Sequence, residues 1–234
     1  MKSLKYWLLV LGILSCFGCS SSIHEDNRGC SFICDSIQYR VEFMSAGCVR
    51  ILSYPEGDTL VTKRLVVDVE KPTFTDYKWE ETEQAFVFCT HELLVSFDKS
   101  DEAFTFREAS TGKLLLKEKD RRKARNFKRS EVGGEQCLEV TQRFIPTDEE
   151  AIYGLGQYQN GIMNYRGKSV LLLQANMDIV NPFLISTNGY GILWDNYSST
   201  KFEDTSEGYS FISEVGDASD YYFVYCLLYT SPSP

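Results

Sequence analysis

Between Ala151 and Tyr225, apolar runs of strand length alternate with clusters of Gly, Asn and Asp. That rhythm constrains the fold more than anything else in the chain. Short apolar runs bounded by turn residues are what a buried antiparallel sheet needs, with its polar loops gathered at the rim. The clearest unit is Phe183-Leu184-Ile185-Ser186-Thr187, then Asn188-Gly189, then Tyr190-Gly191-Ile192-Leu193-Trp194. Asn-Gly between two apolar runs predicts a hairpin with a two-residue type I′ turn, which requires positive φ at both central residues.

The rest of the chain has the same texture. Ile37 to Met44 alternates apolar with polar, and Cys48 to Leu52 answers it across Ser45-Ala46-Gly47. Further strands are expected at Leu65 to Val69, Ala85 to Cys89, Leu93 to Phe97, Phe104 to Arg107, Lys113 to Leu116 and Cys137 to Ile145. Helix-period patterning and internal repeats are missing. Many short strands with regular turn signals predict an all-β fold, an antiparallel β-sandwich.

At 43% hydrophobic and 24% charged, the 234 residues carry enough apolar material for one main domain. A net charge of -9 argues against nucleic acid as a partner, since phosphate neutralisation requires a basic face. The basic island from Lys117 to Arg129, eight Lys or Arg in thirteen residues, reads as a solvated hairpin or loop, with contact to anionic polysaccharide as the alternative. His24 and His91 are the two histidines, so a paired-histidine mechanism or a multi-histidine metal site lacks material. There is no G-x-S-x-G elbow and no phosphate loop. Gly154-Leu155-Gly156 lacks the third glycine of a dinucleotide site. No cofactor and no metal are expected.

Met1 to Ser22 reads as an export signal, with Lys2 and Lys5 ahead of an apolar stretch from Tyr6 to Leu14. Cys16, after Ile13-Leu14-Ser15, and Cys19, before three serines, compete as the lipidation site. The expectation is an exported lipoprotein, periplasmic or at the cell surface of a Gram-negative bacterium, touching membrane only through its lipid anchor. Residues 23–35 read as a tether or the lead-in to the first strand, with Cys30 and Cys34 as ordinary thiols.

Tyr153-Gly154-Leu155-Gly156-Gln157, Asn164 to Gly167, Pro182 to Ser186, Gly189 to Asn196 and Asp220 to Tyr225 resemble, in this order, the N-terminal domain of glycoside hydrolase family 31. The likeness covers residues 36–225 and leans towards the α-xylosidases acting on xyloglucan-type oligosaccharides. It implies a galactose mutarotase-like supersandwich that precedes a (β/α)8 barrel, and the barrel carries both catalytic carboxylates. The chain has no stretch patterned as a barrel, which needs about 200 residues or more. It is therefore expected to hydrolyse nothing alone, with no catalytic residue of its own. Residues 226–234 depart from the family pattern and read as foreign sequence.

By position in the family motif, Gln174 to Asp178 is the loop that leans over the barrel mouth, so Asp178 and then Asn176 are the candidate sugar contacts; turn capping is the competing role for Asp178. Trp194-Asp195-Asn196-Tyr197 sets two polar groups between aromatics, either a sugar platform on Trp194 or a strand end closed by an Asx turn. Asn164, Arg166 and Gly167 are expected to brace the sandwich. An apolar patch left for the barrel is expected around Trp194 and Tyr221-Tyr222-Phe223. The partners implied are the missing barrel and, through the full-length enzyme, an oligosaccharide substrate. The competing reading is a free-standing carbohydrate-binding or adhesion module.

Overall fold

The computed structural model describes residues 23–58, 74–121 and 126–225. The expectations for Leu65 to Val69, for the export segment with Cys16 and Cys19, and for the tail after Tyr225 lie outside them. Every regular element described is a strand: β1 (His24–Asp26), β2 (Gly29–Cys34), β3 (Ile37–Ser45), β4 (Cys48–Pro55), β5 (Lys78–Glu81), β6 (Ala85–Cys89), β7 (Leu93–Asp98), β8 (Ala103–Glu108) and β9 (Leu114–Glu118). They continue with β10 (Phe127–Val132), β11 (Glu135–Ile145), β12 (Ile152–Gln157), β13 (Ser169–Leu172), β14 (Ile179–Ser186), β15 (Tyr190–Trp194), β16 (Thr200–Thr205), β17 (Gly208–Gly216) and β18 (Ser219–Tyr225).

They form two antiparallel sheets. The first has eight strands in the order β1-β2-β3-β4-β18-β15-β14-β12. The second has ten, in the order β13-β16-β17-β11-β9-β8-β7-β6-β5, with β10 attached to β11 off that path. Alternation along each strand sends one set of side chains between the sheets. Tyr39, Val41 and Phe43 of β3 and Tyr190, Ile192 and Trp194 of β15 enter from the first sheet. Phe86, Phe97, Phe104, Phe106, Phe202 and Phe211 meet them from the second. Phe106 stacks on Phe223 at 4.2 Å between ring centroids, and Trp194 on Phe211 at 5.5 Å.

The fold corrects three readings of the sequence. Residues 24–34 are not a tether but β1 and β2, the margin of the first sheet, because Cys30, Phe32 and Cys34 alternate inward as a strand requires. The β14–β15 connection has three residues, since Ser186 pairs with Tyr190, and of these only Gly189 has positive φ (93°). That is a turn closed by one left-handed glycine, not the two-residue type I′ form. Within the basic island, Lys128 lies in β10 and is exposed, as a solvated element should be, but Arg121 is buried.

Arg121 is buried because the space between the sheets holds a polar cluster made for it. It donates to Glu118 Oε1 at 2.7 Å, Gln142 Oε1 at 2.9 Å and Ser53 Oγ at 2.8 Å. Glu118 also accepts from Gln142 Nε2, the Tyr221 hydroxyl and the Phe104 amide. A buried charge is tolerated only when its hydrogen-bonding capacity is filled in this way.

Candidate functional site

The Tyr153 to Gln157 motif is a β-bulge. β12 pairs with β14 through Gly154↔Leu184, then slips to Gly156↔Val180. Gly154 (φ 101°) and Gly156 (φ 118°) flank Leu155, itself at φ 65°. A Cβ on Gly156 would stand 2.0 Å from the Ile179 carbonyl oxygen. The glycines let β14 approach and bend the strand, which is what a bulge does at the rim of a sheet.

Asn164, Arg166 and Gly167 brace that rim. Asn164 Oδ1 accepts from the amides of Ile152 and Arg166, each at 3.1 Å. The Arg166 guanidinium spans the Asp204 carboxylate (2.8 Å) and the carbonyls of Thr147 (3.0 Å) and Glu150 (3.3 Å). The Gly167 amide donates to the same Asp204 oxygen at 2.7 Å. A planar fork that serves several acceptors at once is a use only arginine fits.

Between β13 and β14 the chain makes the candidate loop. Ala175 and Asp178 form an isolated bridge around a tight turn, with Met177 at φ 75°. Gln174 clamps it, donating to the Asp178 carbonyl at 2.8 Å and accepting from the Val180 amide at 3.1 Å. Asn176 is exposed and Asp178 half-buried. The turn is closed by the Asp178 backbone amide donating to Ala175. The Asp178 carboxylate itself takes no hydrogen bond from any described residue. Its charge adds to burial and to Tyr165 in pushing the Tyr158 hydroxyl up to about 12.

Trp194 does not belong to this site. It is 0 % exposed, and its indole N–H donates to Ser213 Oγ at 2.9 Å. The alternation that carries Tyr190 and Ile192 inward carries Trp194 inward too, so no sugar ring reaches it. Asn196 makes the Asx turn that was the competing reading, with its Oδ1 accepting from the Ser198 amide at 2.8 Å. Tyr221, Tyr222 and Phe223 are likewise buried, so the expected bare patch is not there.

Several exposed apolar side chains lie elsewhere. Tyr153 of β12, Met163, Leu171 of β13, Leu173, Met177 and Ile179 of β14 all stand in water, Met163 at 78 % and Met177 at 69 % of full exposure. They belong to the last strands of the two sheets and the loops joining them; Leu173, Met177 and Ile179 adjoin or lie in the Gln174 to Asp178 turn. Sequence reasoning missed this margin, although its signal was present: apolar residues inside a loop rich in Gln, Asn and Asp.

A second unanticipated feature lies on the first sheet. Arg50 bridges Glu42 (2.7 Å) and Asp220. Both Asp195 carboxylate oxygens and the Tyr222 hydroxyl are buried there without a hydrogen-bond partner.

The model of the glycosyl hydrolase 31 N-terminal galactose mutarotase-like domain matches residues 38–203. The chain belongs to that family. It is 32% identical over 205 residues to the α-xylosidase of Saccharolobus solfataricus, matching 81% of this chain and 26% of that protein. It is 27% identical over 223 residues to α-glucosidase 2 of Bacillus thermoamyloliquefaciens, again 26% of the relative. The glycoside hydrolase family 31 α-xylosidase of Xanthomonas citri superposes with a TM-score of 0.67 at 31% identity, over 78% of this chain and 20% of that one. A soil-metagenome α-xylosidase solved with xylose superposes at 0.73 and 20% identity, over 88% of this chain and 32% of that one. The chain thus spans about a quarter of the length of its curated relatives, and what it matches is their N-terminal domain.

Proposed function

We propose that this chain is the accessory sandwich of an exported family 31 α-glycosidase, of α-xylosidase type and acting on xyloglucan-type oligosaccharides. By itself it cleaves nothing. Retaining glycosidases need two carboxyl groups about 5 Å apart across the scissile bond, and the reading places both in a barrel domain supplied by the rest of the enzyme. The turn at Gln174 to Asp178 then forms part of the wall of the sugar pocket, with Asp178 accepting from sugar hydroxyls and Asn176 assisting. The observation that carries this is the Asp178 carboxylate: held by a clamped turn, without a hydrogen bond from any described residue, and next in the chain to the exposed Leu173, Met177 and Ile179, apolar side chains that suit burial against a second domain. Cys16 or Cys19 carries the lipid that holds the exported enzyme at the membrane.

The test is expression of the chain joined to its barrel, assayed on aryl α-xyloside and aryl α-glucoside. The expected result is turnover of the xyloside, none by the 234 residues alone, and a KM raised about tenfold by Asp178→Asn. Turnover by the short chain, or a KM unmoved by Asp178→Asn, overturns the reading. Radiolabelled palmitate incorporation into the Cys16→Ser and Cys19→Ser variants identifies the anchored residue.

A further inference from the structure

The sequence holds two Asn-Gly pairs, Asn160-Gly161 and Asn188-Gly189. In such a pair the backbone nitrogen of the glycine sits within reach of the asparagine side-chain amide and can close a ring onto it. Glycine favours this step because no side chain shields its nitrogen and its backbone takes the conformation of attack without strain. The two pairs share their chemistry, so the fold alone separates them.

Asn188-Gly189 is locked. The Asn188 amide nitrogen donates to the carbonyls of Leu115 (2.6 Å) and Leu114 (3.2 Å) across the sandwich. The Gly189 N–H donates to the Ser186 carbonyl at 3.1 Å, and the Asn188 N–H to Ser186 Oγ at 2.9 Å. The leaving group is therefore held by two acceptors, and the nucleophile keeps its proton in a hydrogen bond. Both residues are half-buried, and the pairing of Ser186 with Tyr190 closes the turn around them.

Asn160-Gly161 is the reverse. It lies in the connection from β12 to β13, with both residues exposed. Neither the Gly161 N–H nor the Asn160 side-chain nitrogen donates to any described residue. Asn160 Oδ1 accepts from the Ile162 N–H at 2.9 Å. That Asx turn draws electron density from the amide carbon and folds the side chain over the Gly161 peptide. Gly161 has φ 69°, and a Cβ built on it would meet nothing within 4 Å, so that flank is open.

We propose that Asn160 is a self-modifying site, which converts to aspartate and isoaspartate in the folded chain while Asn188 stays intact. The Gly161 N–H gives its proton to a solvent base, and the nitrogen bonds to Asn160 Cγ. The Cγ–Nδ2 bond breaks, and Nδ2 takes a proton from water and leaves as ammonia. Water then opens the cyclic imide at one of its two carbonyls, giving aspartate or isoaspartate. Either product sets a carboxylate where a neutral amide stood. Isoaspartate also lengthens the main chain by a methylene group between the β12 bulge and Asn164, whose side chain braces the Ile152 amide. The site requires no barrel, and it stands independently of the role given to Asp178.

The experiment is incubation of the folded 234-residue chain at mildly alkaline pH, followed by trypsin digestion and mass spectrometry. Cleavage at Arg166 and Lys168 places the two asparagines on different peptides. The expected result is conversion of Asn160 to two acidic products of equal mass. It runs at least about tenfold faster than conversion of Asn188, which reacts only when its hairpin opens. In urea, where neither pair is held, the two rates converge. An Asn160 that stays intact in the folded chain while converting in urea overturns the proposal, as does an Asn188 that converts as fast as Asn160 in the folded chain. Rates that keep their full difference in urea overturn it too, since sequence rather than fold would then be the cause.

Discussion

The side-chain amide of Asn188, at the tip of the β14–β15 hairpin, donates to the carbonyl of Leu115 on β9 of the opposite sheet at 2.6 Å. It also donates to the neighbouring Leu114 carbonyl at 3.2 Å. The residue that signals a turn in the sequence is therefore a clasp between the sheets. Asn188→Ala leaves a carbonyl of the buried Leu115 without this donor and should cost about 1–3 kcal/mol. Urea unfolding checks it, and a loss within error of zero would show that water replaces the amide.

Arg121 predicts a larger effect. Arg121→Met strands the Glu118 carboxylate in the interior, and removing one member of such a cluster costs about 3–5 kcal/mol. Adding Glu118→Gln removes the stranded charge and should recover a good part of that loss. Equal stabilities for the single and double variants would mean that the charge was never the issue.

Gly156→Ala should destabilise by at least roughly 2 kcal/mol. The new methyl group meets the Ile179 carbonyl, and φ of 118° is closed to side-chain-bearing residues. Gly57, at φ 87° with open space around it, is the control for conformational strain without a clash. The gap between the two melting temperatures measures the close approach of β14.

Asp220 gives a pH dependence. Burial, with the like charges of Asp195 and Glu42 adding to it, outweighs the attraction of Arg50 and pushes this carboxyl up to about 6 from 3.8. The folded chain then holds a proton through a window in which the unfolded chain has released it. Stability from this group is full below pH 3.8 and is lost as pH rises through about 6. The loss is at most roughly 3 kcal/mol. Asp220→Asn should flatten the melting-temperature profile across that window, and parallel profiles would refute the assignment.

Much of the fold was legible because period-two alternation is a local signal. Ala85 to Cys89 and Leu93 to Phe97 declare their strands without help from distant residues. The place of Trp194 was legible too, through its spacing from Tyr190 and Ile192, but the polar Asp195 and Asn196 beside it imitate a sugar platform. Arg121 was not legible. A run of basic residues looks solvated, and the groups that bury this one lie 21 and 68 residues away at Gln142 and Ser53. Asp178 was reached through its motif alone; that its carboxylate stays out of the turn is a matter of geometry.

The apolar margin at Tyr153, Leu171 and Ile179 bears on how the isolated sandwich behaves at the bench. Among the described residues β12 and β13 end their sheets beside greasy side chains, with the start of β12 covered by Asn164 and Tyr165 and the remainder of each edge open, the arrangement that invites edge-to-edge association of identical molecules. Elution from a sizing column should therefore shift with loading concentration, and a dimer seen under those conditions would report an uncovered seam rather than a physiological assembly.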